Sequence, residues 1–223
     1  VSRVLDRLVD VIVARVFSHR SLELLAENTS IPVINALSDL AHPCQALGDL
    51  LTIQEKKGSF ANLRVAYVGD GNNIASSLAL ACASVGADFV IASPKNYHLP
   101  NISWEEARRR ATVNGTLLDW VESPREAVSG ADIVYTDVWV SMGQEAETED
   151  RRRVFATYQV NEQLMKLAKP DAAFMHDMPA HYGEEVTPGM LDHSSSVAFD
   201  QAENRLHAQK AILEFLLART SVQ

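Results

Sequence analysis

The strongest constraint on the fold is a repeated alternation between short apolar runs rich in β-branched residues and longer segments with helical periodicity. The apolar runs predict strands at residues 11–16, 33–36, 63–68, 88–91, 116–120, 133–136, 172–175 and 196–199. The segments between them predict helices at residues 21–28, 42–57, 73–85, 104–114 and 161–167. Because such alternation is typical of parallel sheets covered by helices, the sequence predicts an α/β protein.

A turn around Gly58 divides this pattern into two series of strand–helix units. We expect one parallel-sheet βα domain at residues 1–57 and a second, Rossmann-like parallel-sheet domain at residues 58–200. The segment 201–223 carries an apolar stripe that predicts one long helix.

Composition excludes several classes of function. A net charge of −9 argues against nucleic-acid binding, which needs clustered basic residues, although small anions need only a few local donors. The sequence contains no apolar run of the roughly 18 residues needed to span a bilayer, and no signal-like start, so we expect no membrane association. The two cysteines, Cys44 and Cys82, lack metal or disulfide spacing, which favours a reducing, cytoplasmic location.

The turn at residues 69–73, Gly-Asp-Gly-Asn-Asn, follows a predicted strand and opens a predicted helix. Backbone N–H groups often bind anions in this setting, so a nicotinamide-dependent oxidoreductase is one alternative. The string lacks the GxGxxG spacing of dinucleotide sites, which weakens that alternative. A tight βα turn with a purely structural role is the other interpretation.

Three further positions could carry chemistry. His42 precedes Pro43 at a predicted helix start, where it could stabilise negative charge or simply cap the helix. Asp137 follows a predicted strand, where a carboxylate suits an ammonium ligand or faces solvent. His176, Asp177 and His181 could suggest a metal site, but a sharp proline-containing loop argues against their convergence, and we predict none.

Four motifs together resemble the ornithine carbamoyltransferase family along nearly the whole chain: residues 42–45, 69–73, 137–143 and 176–179. The resemblance implies transfer of a carbamoyl group from carbamoyl phosphate to the δ-amino group of L-ornithine, giving L-citrulline and phosphate in arginine biosynthesis or arginine/citrulline metabolism. It also implies that residues 1–57 are the C-terminal part of an incomplete carbamoyl phosphate-binding domain, that residues 58–200 are the ornithine-binding domain, and that the helix at residues 201–223 returns to the first domain. No cofactor and assembly as a homotrimer or a multiple of trimers are further implications.

The resemblance assigns roles to ten residues. Carbamoyl phosphate would be bound by Arg15, His42, Gln45, Met178 and Arg205. Ornithine would be bound by Asn73, Asp137, Ser141, Met142 and Asp177. The catalytic residues would be His42, Asp177 and Arg205.

The sequence departs from the family pattern in two places. Asp177 stands where the family has a cysteine, and the family's Ser-Thr-Arg-Thr phosphate loop is missing. Since residues 2–9 already read as a helix in progress, we expect that a segment precedes Val1, and that residues 1–223 alone form no citrulline. An anionic Asp177 would either raise the pKa of the attacking amine or act as its general base.

These departures leave two further alternatives. One is a non-catalytic or truncated family member that keeps an amino-acid-binding pocket. The other is a carbamoyltransferase with a different amine acceptor.

Overall fold

The computed structural model describes residues 1–141 and 143–220 of the chain. The strands are β1 Ile12–Arg15, β2 Val33–Leu37, β3 Arg64–Val68, β4 Asp88–Ala92, β5 Leu118–Val121, β6 Ile133–Thr136 and β7 Ala173–His176. The helices are α1 Ser2–Leu5, α2 His19–Glu27, α3 Pro43–Lys57, α4 Asn73–Val85, α5 Asn101–Asn114, α6 Pro124–Val128, α7 Thr148–Phe155, α8 Glu162–Met165 and α9 Ala198–Thr220. The predicted α/β class is confirmed.

The strands form two parallel sheets. β1 pairs with β2 in a small sheet, and the larger sheet has the order β5-β4-β3-β6-β7. From β3 the chain first adds strands on one side and then returns to add β6 and β7 on the other. The carboxyl ends of β3 and β6 therefore flank a topological switch point, where open α/β sheets bind ligands.

Alternating residues of the central strands fill two core layers, one on each face of the larger sheet. On β6, Ile133 and Tyr135 pack into a layer with Leu78 of α4, whereas Val134 packs into the opposite layer with Phe155 of α7. All five side chains are fully buried. The rigid centre of the sheet thus carries the loops that follow β3 and β6.

Helix α9 returns from the larger sheet and packs along α3, as the resemblance implied. Asn204 donates to Thr52 across the two helices at 3.1 Å. At Gly48 the helices approach so closely that an added Cβ would lie 3.4 Å from backbone atoms of Arg205. This contact brings Arg205 to the amino-terminal part of the chain.

The prediction of a strand at residues 196–199 is wrong. Ser196 forms only an isolated bridge to Phe174, and Ala198 already begins α9. A short apolar run does not distinguish a strand from the buried start of a helix, and here the residues begin a helix. Helices α6 and α7 lie in stretches for which the sequence predicted no element, and the helix predicted at 161–167 contracts to α8.

No helix in the described ranges is long and apolar enough to cross a membrane.

Candidate active site

A cleft of about 830 Å³ lies where the carboxyl ends of strands from both sheets meet. Most of the predicted site residues line it: Arg15, His42, Asn73, Asp137, Ser141, Asp177, Met178 and Arg205. Gln45 is buried beside the cleft without belonging to its lining, and Met142 lies outside the described residues.

Asn72 joins the turn after β3 to the end of β6. Its side-chain oxygen accepts hydrogen bonds from the backbone N–H groups of Ile74 and Ala75, which caps α4. Its Nδ2 donates to Oδ2 of Asp137 at 2.8 Å. The sequence analysis did not select Asn72, although an Asn immediately before a helix is a recognisable capping signal.

Asp137 lies at the carboxyl end of β6, as predicted, and is 5% exposed. Burial raises the pKa of its carboxyl group, while the hydrogen bond from Asn72 opposes that rise. The predicted ligand Asn73 also lines the cleft, where its Nδ2 donates to the backbone oxygen of Ser38 at 2.7 Å. In this state Asn73 thus ties α4 to the loop after β2.

The Gly-Asp-Gly turn is built for close packing. A Cβ added at Gly71 would lie 2.4 Å from the backbone carbon of His98, so glycine is required there. Asp70 is buried and paired with Arg151. Because Asn72 already caps the first N–H groups of α4, the turn offers little to a dinucleotide pyrophosphate, which argues against the oxidoreductase alternative.

Arg151 of α7 binds the segment after β6 through several hydrogen bonds. The sequence analysis did not select Arg151 as a site residue. Its Nη1 donates to Asp70 at 2.7 Å and to the backbone oxygen of Trp139 at 3.0 Å, and its Nε donates to Glu147. The guanidinium also lies over the ring of Tyr97, 5.0 Å from the ring centre. These contacts hold the segment that contains Ser141 against the β3 turn.

The loop after β7 is fixed by His176, which is fully buried. Its Nδ1 accepts a hydrogen bond from the backbone N–H of Met178 at 2.8 Å, and its Nε2 lies 3.1 Å from Glu185. Because Nδ1 accepts, the proton of a neutral imidazole resides on Nε2 and is donated to Glu185. Met178 has a φ of 54°, and the peptide bond to Pro179 is cis.

Asp177 follows in the same loop, and its Oδ1 is buried without a hydrogen-bond partner among the described residues. Burial, together with the charges of Asp137 and Asp49, raises the pKa of this carboxyl group to about 9. At neutral pH the group is therefore protonated in the free protein. The hypotheses drawn from the sequence assumed an anion at this position.

The other end of the cleft carries two arginines and a neutral histidine. Arg15 ends β1, His42 precedes α3, and Arg205 projects from α9. Burial, with the charges of Arg205 and Arg15, lowers the pKa of His42 to about 4. Its backbone N–H donates to Ser77 at 2.7 Å, and its Nδ1 is without a partner within the described part of the chain.

Gln45 is the third residue of α3, and its side chain is oriented by a hydrogen bond to Asp49. Its Nε2 donates to Oδ1 of Asp49 at 2.9 Å. Its Oε1 is buried and accepts no hydrogen bond from any described residue. The residue predicted to bind the carbamoyl group is thus oriented by another side chain, which the sequence analysis did not select.

The metal site considered from the sequence is not supported, because His176 uses both ring nitrogens within the protein. Within residues 1–141 and 143–220, one other group has potential metal ligands close together: His181, Glu184 and Glu185, whose ligand atoms lie within 4.8 Å of one another. Glu184 is already paired with the guanidinium of Arg152 at 2.7 Å. We assign no metal to this group.

The fold and the cleft define an α/β protein with a ligand-sized cleft at the carboxyl ends of two parallel sheets. Two sequence models match the chain: "Aspartate/ornithine carbamoyltransferase, carbamoyl-P binding domain" over residues 1–55, and "Aspartate/ornithine carbamoyltransferase, Asp/Orn binding domain" over residues 61–216. The chain therefore belongs to the aspartate/ornithine carbamoyltransferase family.

Individual relatives agree with this assignment. An ornithine carbamoyltransferase of Hyperthermus butylicus is 56% identical over 97% of this chain and 69% of the relative. The solved ornithine carbamoyltransferase of Pyrococcus furiosus is 52% identical and superposes with a TM-score of 0.94, covering 97% of this chain and 69% of that structure. The enzyme of Giardia lamblia, only 31% identical, still gives a TM-score of 0.90 over 97% of this chain and 73% of that structure.

Proposed function

We propose that this protein transfers the carbamoyl group of carbamoyl phosphate to the δ-amino group of L-ornithine, giving L-citrulline and phosphate. The observation that carries the proposal is one cleft with two chemically different ends: Arg15, His42 and Arg205 at one end and the Asn72–Asp137 pair at the other. Support also comes from relatives that bear this enzyme's name, including one from Pyrococcus furiosus named anabolic, which fits arginine biosynthesis.

At the donor end, Arg15 and Arg205 supply positive charge for the phosphate dianion. His42 is neutral because its pKa lies well below 7, so it can donate a hydrogen bond without carrying charge. We assign its unpartnered Nδ1 to the carbamoyl oxygen, where negative charge develops during attack. Donors placed in advance at such an oxygen supply much of the rate enhancement in acyl transfer.

At the acceptor end, Asp137 suits the α-ammonium group of ornithine, because Asn72 holds its carboxylate at the sheet edge. We assign the α-carboxylate to Asn73, whose amide would exchange its bond to Ser38 for one to the ligand. Ser141 and Met142 complete the predicted amino-acid pocket. Arg151 holds the segment that carries Ser141.

Asp177 belongs at the reacting end, where the family has a cysteine. The δ-ammonium group must release one proton before its nitrogen attacks the carbonyl carbon. The bond from that carbon to the phosphate oxygen then breaks, and the departing phosphate can accept the second proton that the nitrogen loses. A carboxyl group with a pKa near 9 is neutral in the free protein at pH 7. A bound ammonium group would favour its ionised form.

The test is citrulline formation by the native protein, together with calorimetry of norvaline, which mimics ornithine without its δ-amine. We expect Asp137→Ala to abolish norvaline binding. We expect no change in the control Asp171→Ala, which removes an exposed carboxylate that pairs with Lys57. Equal binding by the Asp137 variant and the wild type would contradict the assigned pocket. Norvaline binding without citrulline formation would favour the non-catalytic alternative.

Because Asp177 replaces the family's cysteine, the alternative of a carbamoyltransferase with a different amine acceptor also needs a test. A panel of amines assayed with carbamoyl phosphate separates the two acceptors, and we expect ornithine to be carbamoylated fastest. The homotrimer implied by the resemblance and the cytoplasmic location favoured by the two cysteines stay predictions, for which sedimentation and cell fractionation are the tests.

A further inference from the structure

A chain of buried polar side chains runs beneath the cleft and centres on Asp49 of α3, which is fully buried. Oδ1 of Asp49 accepts hydrogen bonds from Nε2 of Gln45 at 2.9 Å and from Nε2 of Gln201 at 2.7 Å. Its Oδ2 accepts one from the hydroxyl of Tyr135 at 3.2 Å. The four residues connect α3, α9 and β6.

The direction of these hydrogen bonds is fixed at one end by the backbone. The N–H of His176 donates to Oε1 of Gln201 at 2.9 Å. Because a backbone N–H can only donate, the amide of Gln201 must turn its Nε2 toward Asp49. An acceptor at Asp49 then requires Gln45 to present its own Nε2.

The protonation state of Asp49 does not alter this direction. Burial raises the pKa of its carboxyl group to about 7, so both forms occur near neutral pH. Oδ1 faces two amide donors, which leaves Oδ2 as the site for the proton, and Oδ2 can then donate to Tyr135. In both forms Oδ1 accepts, and Gln45 keeps its orientation.

The consequence appears at the other end of the Gln45 amide. Its Oε1 is buried and accepts no hydrogen bond within the described ranges. It belongs to the first turns of α3, where the backbone N–H of Gln45 bonds to the carbonyl of His42, a residue that lines the cleft. A buried acceptor that lost its hydration without gaining a donor is costly, so a ligand that brings N–H groups is favoured here.

We propose that Asp49 is a positioning residue that makes the donor end of the cleft select an acyl phosphate bearing an –NH2 group. This inference rests on the proposed function. It explains how carbamoyl phosphate is distinguished from acetyl phosphate, which has the same shape and phosphate but a methyl group in place of –NH2. A site built to hydrogen-bond a substrate N–H can reject the analogue lacking it by a factor on the order of 10,000.

The experiment measures the affinities of carbamoyl phosphate and acetyl phosphate for the native protein by calorimetry, and compares their ratio among variants. Asp49→Leu removes the acceptor and releases the Gln45 amide, so we expect the preference for carbamoyl phosphate to fall at least about 10-fold. Asp49→Asn retains an acceptor oxygen, so its ratio should stay within about 3-fold of wild type.

Thr52→Val is the matched control. Thr52 lies in the same helix contact and accepts from Asn204, but it has no bond to Gln45. Its removal should leave the ratio unchanged. A loss of preference in Thr52→Val equal to that in Asp49→Leu would reduce Asp49 to a packing residue and overturn the proposal.

A second variant covers the case in which Asp49→Leu does not fold. Asp49→Ala removes the same shared acceptor without adding bulk between Gln45 and Gln201. The preference for carbamoyl phosphate should fall in this variant as in Asp49→Leu, and a preference equal to that of the wild type would overturn the inference. A wild type that binds no carbamoyl phosphate would count against the proposed function itself. A wild-type preference that persists in Asp49→Leu would count against the role of Asp49 alone.

Discussion

Nδ2 of Asn72 lies 2.8 Å from Oδ2 of Asp137, and this hydrogen bond joins two strand ends that are far apart in sequence. The same Asn72 side chain caps α4. Asn72→Ala should therefore lower stability by about 1 kcal/mol through the lost cap and also weaken norvaline binding by freeing the Asp137 carboxylate. Urea unfolding and calorimetry measure the two effects.

The chain supplies a matched control for this prediction. Asn161 caps α8 in the same way, by accepting from the N–H of Leu164, but it does not line the cleft. Asn161→Ala should show a similar loss of stability with unchanged norvaline affinity. Equal loss of affinity in both variants would mean that Asn72 acts only as a cap.

Gly71→Ala should destabilise the protein by about 1–3 kcal/mol beyond an ordinary glycine replacement, because the new Cβ overlaps the backbone of His98. Gly86→Ala is the comparison. Gly86 has a φ of +84° and nothing within 4 Å of an added Cβ, so it reports backbone strain without overlap. Thermal unfolding of both variants measures the difference, and equal losses would contradict the close approach.

Stability should fall as pH rises toward 9, because the buried carboxyl of Asp177 has a pKa of about 9 in the folded protein and about 4 when unfolded. Between pH 4 and pH 9 the folded state binds more protons at this group than the unfolded state does. The stabilisation from the Asp177 carboxyl group is therefore fully present below pH 4 and is lost as the pH rises through 9. The slope approaches about 1.4 kcal/mol per pH unit for one such group.

Asp177→Asn should flatten this slope, as measured by urea unfolding at pH 5, 7 and 9. In this variant stability should still fall with rising pH below pH 7, because the buried carboxyl group of Asp49 has a pKa of about 7. Asp171→Asn is the control, since Asp171 is exposed and its pKa is lowered by Lys57. An unchanged slope in Asp177→Asn would show that the folded protein holds this carboxyl ionised.

In a protein that carries the Ser-Thr-Arg-Thr loop, Asp177→Cys should increase citrulline formation near neutral pH. It should also move the rise of the rate with pH, which follows deprotonation of the amine, to lower pH. The carboxyl groups of Asp177, Asp137 and Asp49 together favour the ammonium form of the bound amine, and removing one lowers the pKa of that amine. A change of one pKa unit corresponds to about 10-fold more free amine. A lower rate with unchanged norvaline affinity would instead identify Asp177 as the general base.

The architecture could be predicted because its signals are local. The bounds of α4 and β6 agree with the sequence prediction, since a capped helix start and a buried β-branched run are visible in neighbouring residues. Residues 196–199 were predicted wrongly because a short apolar run is ambiguous and its outcome is set by packing.

The site was predictable only where its motifs are contiguous. Asp49, Gln201 and Arg151 were not selected, because each acts through a partner distant in sequence. Gln201, for example, meets Asp49 only after α9 has folded against α3. The charge state of Asp177 was inaccessible for the same reason, since it follows from burial beside two other carboxyl groups.

The packing of α9 on α3 has a consequence for the order in which the protein matures. The cleft takes Arg15 from β1 and Arg205 from α9, the helix that follows every described strand. Substrate therefore has no complete binding site on a nascent chain until α9 has emerged. Ligand-induced stabilisation acts only on folded protein that binds, so synthesis up to that point proceeds without help from the substrates.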